Sequence, residues 1–125
     1  MREKTMFYSC TIMSFGFKYG LPNANYYFDV GFAKNPARQK DVWSFFSEPD
    51  PLMIDYVLDQ KDVKKFIDLI VPLIVHLSKL DQHQVFAFGC NAGRHRSHII
   101  AEKISKILKE KDVEAHVYHR DSRKV

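Results

Sequence analysis

A short apolar run, a glycine-containing turn and an amphipathic helix constrain the fold of this chain more than any other feature. Residues 84–90, QVFAFGC, are almost wholly apolar, which predicts a strand covered on both faces. Residues 94–111 repeat apolar side chains at helical spacing, and residues 113–119, VEAHVYH, alternate as a strand does. This order predicts a right-handed βαβ unit with parallel strands. The expected fold class is therefore α/β.

Two further strands are predicted upstream. Residues 5–15 and 26–32 are rich in aromatic and β-branched side chains, and the Gly, Pro and Asn between them indicate a connecting loop. Residues 35–51 have no sustained period, which predicts an irregular loop.

Two helices are predicted between this loop and the apolar strand. Pro51 is tolerated in the first turn of a helix over 51–58. Residues 63–77 carry an apolar stripe at helical period, in which Pro72 predicts a kink. All the elements together predict one small domain over residues 1–125, with a mostly parallel sheet flanked by helices.

Composition limits the class of protein. The chain has 125 residues, 46% apolar and 27% charged, as in a globular protein with one core. Polar side chains interrupt its start and no apolar run reaches the roughly 18 residues of a membrane helix, so neither a signal peptide nor a membrane partner is expected. Cys10 and Cys90 are too few for a disulfide framework, and both are expected as thiols in the cytoplasm.

The segment CNAGRHRS, residues 90–97, has the features of an anion-binding turn. Backbone N–H groups at a helix N-terminus converge on one position, and the helix dipole adds partial positive charge. Gly93 allows close approach of the backbone, and Arg96 offers a planar fork suited to two phosphate oxygens. A phosphate group is therefore the expected ligand of this strand-loop-helix turn.

Cys90 allows a second interpretation. The spacing of Cys90, Arg96 and Ser97 resembles the signature of dual-specificity phosphatases, and a helix N-terminus would favour a thiolate nucleophile. Such an enzyme also needs a general acid, and Gly89 stands where those enzymes usually carry histidine. The upstream carboxylates are only loosely placed for that role (Asp50, Asp59, Asp62). A phosphatase that uses Cys90 and Arg96 is therefore the alternative to a site that binds phosphate without catalysis.

Several short motifs together resemble a known family. They are SFGFKYGLP (14–22), FDVGF (28–32), NP (35–36), YVL (56–58), GCNAGRHRS (89–97), AEK (101–103) and HRD (119–121). Their order and spacing are similar to those of the C-terminal domain of the RNase adapter protein RapZ, over nearly all of the chain from Ser14 to Asp121. The resemblance implies a domain that binds small regulatory RNA, senses glucosamine-6-phosphate and delivers RNA to a ribonuclease without cleaving it.

The resemblance also implies which residues bind the ligand. Asp29 would accept hydrogen bonds from hydroxyl or amine groups of the sugar, and Lys18 would lie near the pocket or the RNA. The other ligand residues fall in the 90–97 turn (Cys90, Asn91, Ala92, Gly93, His95, Arg96 and Ser97). No cofactor is expected, and the lack of a GxxxxGK[ST] motif predicts no ATP site.

Some positions of this chain depart from the family. The family usually carries arginine at the position of Gly31, histidine at Ala37, and Thr-Gly at Asn91 and Ala92. The missing histidine removes an expected ligand contact, so the specificity for the sugar can differ even where phosphate binding is kept.

Positive charge is concentrated at the end of the chain. Residues 1–93 hold ten basic and ten acidic side chains, whereas residues 94–125 hold nine basic and five acidic ones. A patch that binds the RNA backbone is predicted from six of these cations (Lys106, Lys109, Lys111, Arg120, Arg123 and Lys124). The alternative is a solvated helix face with a basic tail. The resemblance implies assembly of such domains around a structured RNA, which is compatible with a homo-oligomer.

Two other patterns are interpreted as structural. HRD at 119–121 resembles a kinase catalytic loop, but no glycine-rich loop or DFG accompanies it, so it is predicted to be the polar end of a strand. His95 and His98 could share a helical face as metal ligands, but no further ligand is placed to complete a site, so no metal is expected. His95 is predicted to face the anion instead.

Overall fold

The structure is a computed structural model and describes residues 8–39, 41–80 and 83–124. The strands are β1 (Tyr8–Gly16), β2 (Tyr26–Asp29), β3 (Gln84–Cys90) and β4 (Val113–His119). The helices are α1 (Pro51–Leu58), α2 (Lys61–Ser78) and α3 (Arg96–Glu110). Single 3-10 turns lie at Phe17–Tyr19 and Pro36–Arg38.

The four strands form one parallel sheet in the order β2-β3-β1-β4. The register pairs Gly16 with Cys90, and Asp29 with Gly89. The carboxyl ends of the strands therefore lie at one edge of the sheet, which is the edge where open α/β sheets bind ligands.

The predicted α/β class with a parallel sheet is confirmed. The unit formed by β3, α3 and β4 has β1 inserted between its two strands. This insertion leaves β1 paired on both sides, and the end of β1 at Gly16 lies beside the 90–97 turn.

Three predicted boundaries shift. β2 ends at Asp29 rather than at residue 32, because Asp29 Oδ1 accepts a hydrogen bond from Gly31 N–H at 2.8 Å where the chain turns out of the sheet. α3 begins at Arg96 rather than at residue 94, because residues 91–95 belong to the preceding turn. β1 continues to Gly16, and residues 5–7 of its predicted start lie outside the described residues.

Both predicted upstream helices form. α1 begins with a capped end, because Asp50 Oδ1 accepts a hydrogen bond from Met53 N–H at 2.8 Å. α2 continues through Pro72, and the kink stays a prediction. The described residues between 35 and 50 are irregular apart from one 3-10 turn, and the buried Trp43 among them donates to Asp50 Oδ2 at 3.1 Å. Within the described ranges, no helix is long and apolar enough to cross a membrane.

The core lies on the face of β3 that carries Phe86 and Phe88. The buried rings of Phe86 and Phe88 stack on Tyr26 and Phe28, with centroids 5.1 and 5.2 Å apart. Burial of one such side chain stabilises the fold by about 1.5–3 kcal/mol. The helices cover the sheet with buried residues at helical spacing (Val63, Ile67, Ile70, Val71 and Ile74 on α2; Ile100, Ile104 and Leu108 on α3).

The HRD motif joins the end of β4 to the end of β1. Asp121 is fully buried, and its carboxylate accepts hydrogen bonds from Gly16 N–H at 2.8 Å and from Arg120 Nε at 3.0 Å. Lys124 Nζ lies 3.1 Å from the same carboxylate. Burial alone would raise the pKa of Asp121, but these donors outweigh burial and hold the pKa below its ordinary value. The motif is therefore a structural link rather than only a polar strand end.

Asp121→Asn is expected to lower the free energy of unfolding by roughly 2–3 kcal/mol, because the buried Gly16 N–H and the two neighbouring cations lose a charged acceptor. Folding lowers the pKa of Asp121. The ionised carboxylate therefore stabilises the fold fully above the unfolded-state pKa of about 4, and this stabilisation is lost as pH falls through the folded-state pKa. Urea unfolding at pH 7 and pH 3 measures both effects, and the variant should lose less stability toward acid than the wild type.

Asp68→Asn is the control for this substitution, because Asp68 is exposed on α2 and its change removes the same charge. Equal loss of stability in the two variants would contradict a special contribution from Asp121.

Candidate functional site

The 90–97 turn is fixed by close contact between two backbone segments. Gly93 has φ 72°, a left-handed conformation that favours glycine. A Cβ atom on Gly93 would lie 2.5 Å from Gly16 N, and a Cβ atom on Gly16 would lie 2.4 Å from the carbonyl of Ala92. The main chain of the turn therefore packs directly on the end of β1, and Lys18 N–H donates to Asn91 O at 3.1 Å beside it.

Four consecutive backbone N–H groups in this turn lack a protein acceptor. Within the ranges 8–39, 41–80 and 83–124, the N–H groups of Ala92, Gly93, Arg94 and His95 donate to no carbonyl and to no side chain. They immediately precede the N-terminus of α3, where the helix dipole adds positive charge. Such a run of free donors is suited to binding an anion.

Arg96 is held beside these donors by one of its nitrogens. Nη1 donates to Gly31 O at 2.9 Å and to Ala33 O at 3.2 Å. In the described part of the chain, Nε and Nη2 of Arg96 form no hydrogen bond. The guanidinium is thus oriented by protein carbonyls and keeps donors for a ligand.

Cys90 is buried and its thiol is engaged within the protein. Its side chain is 3% exposed, and Sγ donates to Ser97 Oγ at 3.3 Å. Ser97 Oγ in turn lies 3.4 Å from Phe15 O, as a donor. A Cβ atom on Gly89 would lie 2.5 Å from the ring of Phe15, so packing excludes a histidine before the cysteine.

Asp50, one of the upstream carboxylates considered as a general acid, is unsuited to acid catalysis. Asp50 caps α1, and the hydrogen bonds from Met53 N–H and the indole of Trp43 hold the pKa of Asp50 below its ordinary value. A general acid must carry a proton near neutral pH, which requires a raised pKa.

His95 faces a covering segment, residues 44–48, rather than open space. His95 is 5% exposed, and its Nε2 donates to Ser47 O at 2.7 Å. Burial lowers the pKa of His95, with the hydrogen bond to Ser47 acting in the opposite direction. Arg94 is also buried, and donates to Phe46 O at 3.4 Å and Ser122 O at 3.1 Å. These two side chains support the turn, and direct contact of His95 with an anion stays a prediction.

Two hollows adjoin the turn and share Arg96. The smaller one, of about 60 Å³, is bounded by Cys90 and the following residues and by Asn35 and Ala37. The larger one, of about 370 Å³, is lined by Arg96 and by the 31–39 segment with Tyr56. Sequence reasoning missed two cations of this larger hollow, Lys34 and Arg38. In the sequence, only the NP motif at 35–36, which lies between these two cations, pointed to this segment.

A family model described as the RapZ C-terminal domain matches residues 8–123. The chain belongs to this family. A similar nucleotide-binding protein of Caldicellulosiruptor bescii is 40% identical over 120 residues, covering 91% of this chain and 41% of the relative. Nucleotide-binding proteins of Carboxydothermus hydrogenoformans and Macrococcus caseolyticus are 38% and 36% identical, covering 93% and 95% of this chain and 42% of each relative. The chain therefore spans about two fifths of the length of these curated relatives.

Two departures of this chain from the RapZ C-terminal pattern lie at the hollows. Ala37 borders the smaller hollow, and Gly31 lines the larger one. A Cβ atom on Gly31 would lie 2.9 Å from Asp29 Oδ1 and 3.8 Å from Arg96 Nη1. Asp29 is exposed at this edge, and Lys18 Nζ lies 5.2 Å from the ring centroid of Phe45. The residues implied by the RapZ resemblance thus meet at the carboxyl edge of the sheet.

The six predicted RNA-binding cations divide into two groups in this RapZ-type fold. Arg120 and Lys124 contact Asp121 at the carboxyl edge, and Arg120 Nη2 also donates to Gly20 O at 2.7 Å. Lys109 lies 13 residues, or about 20 Å, along α3 from Arg96, toward the opposite edge. Lys106 and Lys111 lie on this same side, and Arg123 is exposed. One continuous patch of all six is therefore not formed within a single chain.

A cavity larger than either hollow lies away from the turn. It is a groove of about 750 Å³ between α1 and α3. His98 borders it and does not pair with His95. Its ring stacks on His119, and burial, followed by the nearby His119, lowers the pKa of His98 to about 4.

Proposed function

We propose that this domain binds a phosphorylated small molecule at the 90–97 turn and does not hydrolyse it. The observation that carries the proposal is the run of four backbone N–H groups, at residues 92–95, that have no acceptor among the residues the structure describes. A phosphate oxygen accepts hydrogen bonds from such donors, and Arg96 adds a charged fork beside them. The backbone donors and Arg96 would therefore hold the anion without an exposed cluster of lysines.

The sugar of the ligand fits the larger hollow. Arg96 lines both hollows, so a phosphate in the smaller one leaves its organic group next to Lys34, Arg38 and Tyr56. Asp29 is exposed nearby and supplies an acceptor for hydroxyl or amine hydrogens. The family resemblance favours glucosamine-6-phosphate, and the similar proteins named nucleotide-binding agree with a phosphate-containing ligand. Ala37 and Gly31 leave the sugar with fewer side-chain contacts than the family pattern provides.

Binding without catalysis is supported by the surroundings of Cys90. The thiol is buried and hydrogen-bonded to Ser97, and Asp50 holds no proton to give to a leaving group near neutral pH. A sensor needs only the phosphate contacts, whereas a phosphatase needs an exposed nucleophile and a protonated acid. The expected cytoplasmic location, in which the thiol stays reduced, remains a prediction.

Arg96→Ala is expected to weaken phosphate-ligand binding roughly 10- to 100-fold, because a charged hydrogen-bonding fork is lost. Calorimetry with glucosamine-6-phosphate, glucose-6-phosphate and inorganic phosphate measures the loss and ranks the ligands. Arg123→Ala removes the same charge from an exposed position and is the matched control. Equal affinities of wild type and Arg96→Ala would refute the site.

Cys90→Ser is expected to leave phosphate binding nearly unchanged. Neither the wild type nor the variant should hydrolyse p-nitrophenyl phosphate. Release of nitrophenol is followed with wild type and variant at equal concentration. Turnover that depends on Cys90 would contradict binding without catalysis and would identify the domain as a phosphatase.

We further propose that RNA is bound chiefly through the exposed lysines of the α3 end, Lys106, Lys109 and Lys111. Arg120 and Lys124 are held by Asp121, so they offer fewer free donors to RNA, while Arg123 adds one exposed charge. Contacts from lysines to phosphates depend on RNA shape more than on base sequence. One chain offers few contacts, so assembly of several chains on one RNA accompanies this proposal.

Replacing Lys106, Lys109 and Lys111 by Gln is expected to weaken binding of a structured hairpin RNA and to make its salt dependence shallower by roughly 2 in the logarithmic slope. Gel shifts over a salt series measure both. The control replaces Lys61, Lys64 and Lys65, which are exposed on α2 and carry the same total charge. Equal weakening by both triple variants would indicate only nonspecific attraction.

A further inference from the structure

Three side chains that the phosphate site does not use converge between α3 and β4. His98 and Glu102 are four residues apart on α3 and so share one helical face, and His119 ends β4. One ligand atom from each of the three lies within 4.8 Å of the other two. The sequence suggested only His95 and His98 as a pair, from which no metal site was expected, and it did not indicate His119, which is 21 residues further along the chain than His98.

His119 is oriented as metal-binding histidines are. Its Nδ1 forms a hydrogen bond of 2.6 Å with Ser14 Oγ, and Ser14 is fully buried on β1. Its Nε2 lies 2.8 Å from Glu102 Oε1. A hydroxyl behind one ring nitrogen fixes the ring, while the other nitrogen is directed to a carboxylate, as in sites where an outer partner orients a histidine ligand.

His98 supplies an independent observation. Its Nδ1 is buried and has no hydrogen-bond partner within the described residues. Buried polar atoms normally have a partner, so an unpartnered imidazole nitrogen beside a carboxylate and a second histidine calls for one.

We propose that His98, Glu102 and His119 bind one divalent transition-metal ion, for which Zn²⁺ is the best match. Two imidazole nitrogens and one carboxylate oxygen are a donor set of zinc sites, whereas Mg²⁺ and Ca²⁺ favour oxygen ligands. When the metal binds, it takes the place of the proton on His119 Nε2. The neutral ring then carries its proton on Nδ1 and donates a hydrogen bond from there to Ser14 Oγ.

Coordination requires a small change in one ring. The imidazoles of His98 and His119 are stacked, with centroids 3.7 Å apart and 17° between their planes. Ring lone pairs lie in the ring plane, so the His98 ring turns about its side-chain torsions toward His119. The three ligand atoms, which lie within 4.8 Å of one another, then adopt the ~3.3 Å spacing of ligands around a tetrahedral zinc.

The neighbouring groove gives the site access to solvent. His98 and Glu102 both line the groove of about 750 Å³, and the Glu102 side chain is 55% exposed. Three protein ligands leave a fourth position for water or another donor from this groove. The metal joins the first turn of α3 to the end of β4, one residue after the phosphate turn, and does not depend on phosphate binding.

The test is a titration of the whole chain, free of any histidine tag, with Co²⁺ and then Zn²⁺. We expect one Co²⁺ per chain with the visible absorption of a tetrahedral site, displaced by Zn²⁺, and no competition from Mg²⁺. Ser14→Ala removes the residue that orients His119 and should weaken Zn²⁺ binding by about 10- to 100-fold. His98→Gln removes a metal ligand and should weaken Zn²⁺ binding by more than about 100-fold. Zn²⁺ should also raise the Tm of the wild type but not that of His98→Gln.

The matched control is His116→Gln. His116 is an exposed histidine on β4 whose Nε2 lies 3.8 Å from Glu114 Oε2, and among the described residues this histidine-glutamate pair belongs to no group of three possible metal ligands. Thermal unfolding without metal checks that each variant is folded, and Glu102→Gln, at a half-exposed side chain, is the second variant if His98→Gln unfolds. Absence of the Co²⁺ spectrum, or equal affinities of wild type, His98→Gln and Glu102→Gln, would overturn the proposal, as would equal weakening by His116→Gln.

Discussion

The contact of the Gly16 backbone with the backbone of Ala92 and Gly93 is the constraint on which the candidate site depends. Neither glycine has room for a Cβ atom, because a Cβ on Gly16 would lie 2.4 Å, and a Cβ on Gly93 2.5 Å, from main-chain atoms of the other segment. Gly16 N–H is also the donor that Asp121 accepts, so the same residue joins β4 to the turn. The free N–H groups of residues 92–95 therefore have a fixed position, which lowers the entropic cost of ordering them around an anion.

That packing also separates binding from catalysis. With β1 pressed against the turn, Phe15 occupies the space beside Gly89, and its carbonyl lies near Ser97. Cys90 is enclosed by this arrangement, while Arg96 extends from the first position of α3 to the carbonyls of Gly31 and Ala33. The cysteine-to-arginine spacing resembles that of a phosphatase, but the packing around it favours a support for the turn over an exposed nucleophile.

The sequence was sufficient for the parts of the fold that depend on local pattern. The apolar run at 84–90, the helical period of α3 and the glycine of the turn are all set by neighbours in the chain, so the α/β class and the strand-loop-helix turn were predictable. Contacts between residues far apart in the chain could not be predicted from local pattern. Nothing near Arg120 indicates that its guanidinium bonds to Gly20 O, and nothing near His95 indicates Ser47. For the same reason the order of the strands and the neighbours of His98 required the three-dimensional structure.

Three cations near the turn, Arg94, Arg120 and Lys124, are already bonded within the protein. Asp121 holds Arg120 and Lys124, and Arg94 donates to carbonyls. An anion at the turn therefore meets backbone donors and the remaining nitrogens of Arg96, at short range and partly shielded from water. Lysines on α3 are exposed, and exposed charges are screened by salt far more than partly buried ones. Because of this difference in burial, added salt should release RNA from the domain at concentrations that leave the phosphorylated ligand bound.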